Sequence, residues 1–228
     1  MSVGVVLFPG TNCEMDVVEA ITDLGGAAEV VWHGDDKLAS HIDAVVLPGG
    51  FAHGDYLRTG AIARFSPVMQ AVSRFAADGG PVVGICNGFQ VLTEAGLLPG
   101  ALQKNRGLKF LCTTVDIRVE TTTTVLTNAV ELGMSLRIPI NHFEGNFTCS
   151  PETLAELRSE DRIVFRYVDN PNGSVDDIAG VCSAARNVVG LMPHPERACN
   201  RLLGSEDGKD LLRSLLAAAG ASVSSLRA

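Results

Sequence analysis

The sequence predicts an α/β fold: a doubly wound, mostly parallel sheet with helices on both faces and a small antiparallel extension, in a single domain over residues 1–228. Three observations predict it. In the first half, short apolar runs alternate with stretches of helical periodicity, the order that builds parallel strands covered by helices. In the second half the apolar runs become rich in threonine and valine, alternate partially, and are separated by turn sequences, as antiparallel strands are. Between them, an apolar run ends in a Gly-x-Cys-x-Gly turn followed by a helix-forming stretch.

Each element has its own signal. Residues 3–8 form a continuous apolar run, as expected of a strand buried on both faces. Val17, Ile21 and Leu24 then recur at helical spacing until Gly25-Gly26 stops them. Residues 29–32 and 43–48 read as the second and third strands, the third ending in Gly49-Gly50. Residues 65–77 read as a helix, stopped by Asp78-Gly79-Gly80-Pro81. In the second half, residues 110–119, 122–126, 162–168, 178–184 and 188–192 are predicted strands. Asn170-Pro171-Asn172-Gly173 and Arg186-Asn187 supply turns. The last strand is expected to belong to the antiparallel extension and to deliver Pro193-His194-Pro195-Glu196 to the carboxyl ends of the parallel strands, where ligands bind in such sheets. Residues 207–219 read as a closing helix.

Composition narrows the function. The chain of 228 residues is 46% hydrophobic, enough for one full-sized core. A net charge of −8 argues against a nucleic-acid partner, which calls for a basic face. No apolar run reaches the roughly 18 residues of a membrane span. The N-terminus, Met1-Ser2-Val3-Gly4, has no basic region and leads straight into a strand, so no secretory signal is expected. The six cysteines form no C-x-x-C pair, and a chain of this size needs no staples, so they read as reduced and the protein as cytoplasmic. In that compartment the acceptor triplets at Asn146 and Asn172 carry no glycan.

The chemistry centres on Cys86, in Gly84-Ile85-Cys86-Asn87-Gly88. This pattern is a nucleophile elbow: flanking glycines allow the tight turn, and the following helix N-terminus favours a thiolate. The bland alternative is a small core thiol after a strand. Cys86 needs a base, and His194 has the best surroundings, at the end of an apolar run between two prolines that hold the chain extended. Residues two apart in an extended chain share a side, so Glu196 can orient His194 as nucleophile, base and orienter require. On its own, Glu196 would be a surface carboxylate. Gly49, Gly50 and Phe51, beside the elbow in such a sheet, can aim backbone N–H groups at a developing oxyanion, with the N–H of Asn87 as second donor. Gly49-Gly50 alone fits an ordinary strand-to-loop turn equally well. His53 and His142 lie in loop-like segments and could line a site, whereas His33 and His41 read as surface. No pair of histidines has helical metal-ligand spacing, so no metal is expected.

These motifs resemble a known family. Gly84 to Gln90 and Pro193 to Glu196 are similar to the two signatures of class I, triad-type glutamine amidotransferases. Phe8-Pro9-Gly10-Thr11-Asn12-Cys13-Glu14, Leu47 to Phe51 with Gly54-Asp55-Tyr56-Leu57-Arg58, and Gly190 to Arg197 resemble the glutaminase-subunit family of phosphoribosylformylglycinamidine synthase. The resemblance covers nearly the whole chain. It implies that Cys86 attacks the side-chain amide of L-glutamine and that His194 protonates the departing ammonia and then activates water. It also implies that Glu196 orients His194, that Gly50 or Phe51 holds the oxyanion with Asn87, and that Gln90 frames the glutamine pocket. It implies no cofactor in this chain and a separate synthetase partner that uses ATP and Mg, bridged in some families by a small third subunit. The 54–58 loop is the expected partner contact, and a flip of the Gly49–Gly50 peptide the expected switch. Asn141 and Phe143 stand where the family carries alanine and glycine; were that backbone at positive φ, Phe143 would be strained. Two other readings compete: a cysteine hydrolase or peptidase on a related fold, and a scaffold that kept the fold without the activity.

Overall fold

The alternating apolar runs assemble into one nine-stranded sheet. The computed structural model describes residues 1–226, with side chains through residue 220. In chain order the elements are β1 (Ser2–Leu7), α1 (Glu14–Asp23), β2 (Ala27–Trp32), β3 (Ala44–Leu47), α2 (Pro67–Ala77), β4 (Val82–Ile85), α3 (Asn87–Glu94), β5 (Ala101–Lys104) and β6 (Leu111–Val119). They continue with β7 (Ser135–His142), β8 (Glu144–Thr148), α4 (Pro151–Ser159), β9 (Ile163–Tyr167), β10 (Ile178–Cys182), β11 (Val188–Leu191) and α5 (Gly208–Leu226). The sheet order is β2-β1-β3-β4-β11-β10-β9-β6-β7, and β5 pairs with β8 in a separate ribbon. The first four neighbour pairs are parallel and the last four antiparallel.

β3, β4 and β11 are entirely buried, as parallel strands covered on both faces must be. Their register aligns Leu47 with Gly84, and Ile85 with Leu191. The segments leaving their carboxyl ends therefore start side by side: Gly49-Gly50, Cys86 and the 192–196 segment. This alignment positions the site.

Several elements differ from expectation. Residues 122–126 form turns instead of a strand. The Thr124 hydroxyl accepts the Leu126 N–H and the Thr127 hydroxyl accepts the Thr124 N–H, so these side chains satisfy backbone groups that a ladder would have used. Strand β11 does not belong to the extension. It pairs parallel with β4 and antiparallel with β10, joining the two halves of the sheet. Helix α2 starts at Pro67 rather than residue 65, with proline in the first helical position, which needs no N–H donor. Helix α4 is an addition to the expected elements; Ser150 caps it through the Thr153 N–H and Pro151 opens it. Pro139 masks β7 in the sequence, and the strand tolerates it by lying at the edge of the sheet.

Candidate active site

The elbow stands at the carboxyl end of β4. Cys86 has φ 51° and ψ −104°, a strained conformation for a residue with a Cβ, and it directly precedes α3. The surrounding glycines are steric necessities. A Cβ on Gly88 would overlap the Leu47 carbonyl oxygen, and one on Gly84 would lie 2.5 Å from Leu92 Cδ1 and 2.7 Å from the Gly88 carbonyl. Cys86 is 5% exposed. Its N–H donates to the Leu191 carbonyl at 2.8 Å, and its thiol faces the Asn141 carbonyl at 3.6 Å.

His194 arrives from β11 with its N–H donating to the Pro139 carbonyl at 2.9 Å. Its Nδ1 is 2.6 Å from Glu196 Oε1, and the two residues are 1% and 3% exposed. The pairing does not use an extended chain. Residues 195–197 form a 3-10 turn, which brings the carboxylate back to the ring. His194 Nε2 has no hydrogen-bond partner among the described residues. Burial works against the imidazolium, but the charges of Glu196 and Cys86 and the nearby sulfurs of Cys13 and Cys86 outweigh it, and the pKa stands well above 6.5.

The expected oxyanion donors separate. Phe51 N–H donates to the Gly10 carbonyl at 2.9 Å and is spent; the residue is 47% exposed. Gly50 N–H has no backbone partner among the described residues, and Asn87 N–H opens α3, where helix geometry supplies no acceptor. Gly50 sits at φ 145°, where a Cβ would come within 2.7 Å of the Thr11 and Asn12 backbone. The Gly49 carbonyl accepts from the N–H groups of Asn12 (3.4 Å) and Cys13 (3.2 Å), which hold the Gly49–Gly50 peptide in one orientation.

The Asn87 and Gln90 side chains fasten the wall of the site. Asn87 Oδ1 accepts the Ala52 N–H at 3.0 Å, and its Nδ2 donates to Gln90 Oε1 at 2.9 Å; Gln90 Nε2 donates to the Glu144 carbonyl. Asp55 lies against this wall. Burial and the charge of Glu144 raise its pKa to about 6, against a lowering hydrogen bond from Asn87.

His142 is not in a loop. It ends β7 and is buried, and Gly145 leaves room for it, since a Cβ there would overlap the ring. Asn105 sets its tautomer. The Asn105 amide donates to the carbonyls of Lys109 and His142, so its Oδ1 must accept from His142 Nδ1 at 3.1 Å and from Gly145 N–H. His142 Nε2 is then a lone pair with no partner among the described residues. Burial and the charge of His194 push the pKa down to about 4. His53 stands apart from this group, sharing the Ser66 hydroxyl with His33. Phe143 is absent from the positive-φ residues, so the family glycine is replaced without backbone strain.

Sequence reasoning about chemistry passes over Cys13. Its sulfur, His194 and Glu196 place one donor atom each within 4.8 Å, the spacing of a metal site. Contacts within the protein already hold the sulfur and one ring nitrogen. Glu196 holds His194 Nδ1, the Cys13 thiol donates to Asn12 Oδ1 at 3.2 Å, and Arg197 Nη2 donates to the sulfur at 3.2 Å. A guanidinium at that distance opposes a cation. The one clue in the sequence is that Cys13 stands inside a family-like segment.

A family model for CobB/CobQ-like glutamine amidotransferase domains matches residues 1–210. The chain belongs to this amidotransferase family. Within the family it groups with the PurQ subunits of phosphoribosylformylglycinamidine synthase. It is 58% identical to that subunit from Rubrobacter xylanophilus over 96% of this chain and 99% of the relative. It is 55% identical to that from Cereibacter sphaeroides over 95% and 97%. The solved structure of PurLQS from Thermotoga maritima contains a chain 43% identical, superposing with a TM-score of 0.87 over 95% of this amidotransferase and 97% of that chain. A protein from Thermoplasma acidophilum described as a GMP synthase subunit, 16% identical with a TM-score of 0.66 over 100% and 98%, shares the fold.

Proposed function

We propose that this chain is the glutaminase subunit of a phosphoribosylformylglycinamidine synthase, active in the cytoplasm. One observation carries the reading: a strained elbow cysteine beside a buried histidine whose far nitrogen is held by a buried glutamate. Cys86 passes its proton to His194 and attacks the amide carbon of L-glutamine. The oxyanion gathers at the N–H groups of Gly50 and Asn87. His194 returns the proton to the leaving nitrogen, ammonia departs, and a γ-glutamyl thioester remains. Water, deprotonated by His194, then attacks the thioester and releases glutamate and the Cys86 thiol. Glu196 holds the ring and stabilises the imidazolium. Asn87 and Gln90 fix the pocket wall.

Ammonia passes to a synthetase subunit, which uses ATP and Mg to make the amidine; a small third subunit bridges the two. The name of the Thermotoga assembly, PurLQS, supports a complex of more than one kind of chain. The 54–58 loop suits the docking role, because Tyr56 and Leu57 are 73% and 90% exposed next to the site. Membership of the amidotransferase family favours this reading over another cysteine hydrolase, and an intact Cys-His-Glu set favours it over a scaffold.

The test is glutamate release from glutamine by wild type and Cys86→Ala, with and without the synthetase and its substrates. Release that requires Cys86 and rises with the partner is expected. No release from the complete assembly would sink the proposal.

A further inference from the structure

We propose that Cys13 is a positioning residue that ties one oxyanion donor, the Gly50 N–H, to the His194–Glu196 pair. The inference rests on the glutaminase reading above and adds a residue to its machinery. Cys13 reaches both halves of the site. Its backbone N–H donates to the Gly49 carbonyl at 3.2 Å, and because the carbonyl and N–H of one trans peptide point opposite ways, this fixes the Gly50 N–H to face away from Cys13. Its sulfur packs at the imidazole. A Cβ built on Gly49 would meet His194 Cε1 at 2.7 Å and Cys13 Sγ at 3.0 Å, so ring and sulfur close around the same glycine.

The sulfur is itself held in place. Its proton goes to Asn12 Oδ1, and its lone pair takes the Arg197 Nη2 proton at 3.2 Å. Arg197 Nε binds Asp16 Oδ2 at 2.9 Å, in the first turn of α1. Arg197 also follows Glu196 directly, and its N–H donates to the His194 carbonyl at 3.2 Å. A closed circuit results: α1, the Gly49–Gly50 peptide, His194, the 195–197 turn, Arg197, and back to α1. Moving the sulfur moves both the peptide that presents an oxyanion donor and the ring that moves the proton. A misplacement of about 1 Å at such groups costs on the order of 10²-fold in rate. The ring is faced by Glu196, Cys86 and Cys13, with His142 within electrostatic range and Arg197 behind the sulfur. The Cys13 contact raises the proton affinity of His194, so its loss moves the acid limb of activity to lower pH.

The experiment measures glutaminase kinetics against pH in the assembled synthase for wild type, Cys13→Ala, Cys13→Val, Cys13→Ser and Arg197→Lys, with thermal melting of each. The expected result for Cys13→Ala and Cys13→Val is a kcat at least about tenfold lower, a KM for glutamine within about twofold, and an acid limb at lower pH. Cys13→Ser, which keeps a donor and acceptor of similar size, restores most of kcat. Arg197→Lys, which keeps the sulfur but loses the fork, shows a smaller shift in the same direction. Unchanged kcat and acid limb in Cys13→Ala or Cys13→Val overturn the proposal, as do losses that merely track the melting temperature. If the alanine and valine variants do not fold, an unchanged Arg197→Lys profile overturns it. A wild-type assembly that releases no glutamate removes the glutaminase reading and this inference with it.

Discussion

Acid should unfold this protein partly through His142. The imidazole has a folded pKa of about 4 against an ordinary 6.5, because it is buried and near His194. Between those values the unfolded chain binds a proton that the folded chain refuses, so stability rises with pH through the window. The contribution is fully present above pH 6.5 and is lost as pH falls toward 4. Linkage gives a loss of about 2 kcal/mol by pH 5 and about 3 kcal/mol by pH 4, at about 1.4 kcal/mol per pH unit. Other groups titrate in the same range, with Asp55, raised to about 6, acting in the opposite sense. The comparison is therefore with His142→Gln, in which those groups are retained. Urea unfolding at pH 7.5, 6, 5 and 4 should show wild type losing about 3 kcal/mol more than the variant across the series. Parallel stability curves would refute the assignment of a buried, neutral His142.

Three further outcomes follow from the geometry. Glu196→Gln removes the carboxylate that holds His194 Nδ1 at 2.6 Å, and should lower kcat by roughly 10²–10⁴ with little change in melting temperature; steady-state glutaminase kinetics in the complex, together with thermal melting, check it. Gly49→Ala places a methyl 2.7 Å from His194 Cε1, and should lower kcat by about 10² while glutamine affinity, read by calorimetry, changes little. Gly88→Ala drives a methyl into the Leu47 carbonyl between α3 and β3, and soluble yield and circular dichroism should show a chain that fails to fold.

Much of the site can be read locally. A glycine pattern around one cysteine marks an elbow because only certain backbones turn that sharply, and continuous apolar runs mark parallel strands because both faces are covered. Residues 122–126 mislead for an equally local reason: threonine suits strands, but its hydroxyl also satisfies turns, and spacing alone does not say which. His142 reads as a loop residue because Pro139 and its glycine-flanked neighbourhood mask an edge strand.

The sequence by itself determined the α/β order and the strand–turn–helix at Cys86, and it put His194 and Glu196 within reach of each other, since each depends on residues a few positions apart; the 195–197 turn that joins the pair came only with the structure. The tertiary structure alone decided which strands lie together and therefore what meets across the site. The register of β3, β4 and β11 aligns Gly50, Cys86 and His194. The Gly10 carbonyl accepts the Phe51 N–H and so takes it out of the expected oxyanion donors. Cys13 reaches Arg197 across 184 positions of chain. Contacts between distant segments follow from how sheet and helices pack, a sum over the whole core that no local pattern contains.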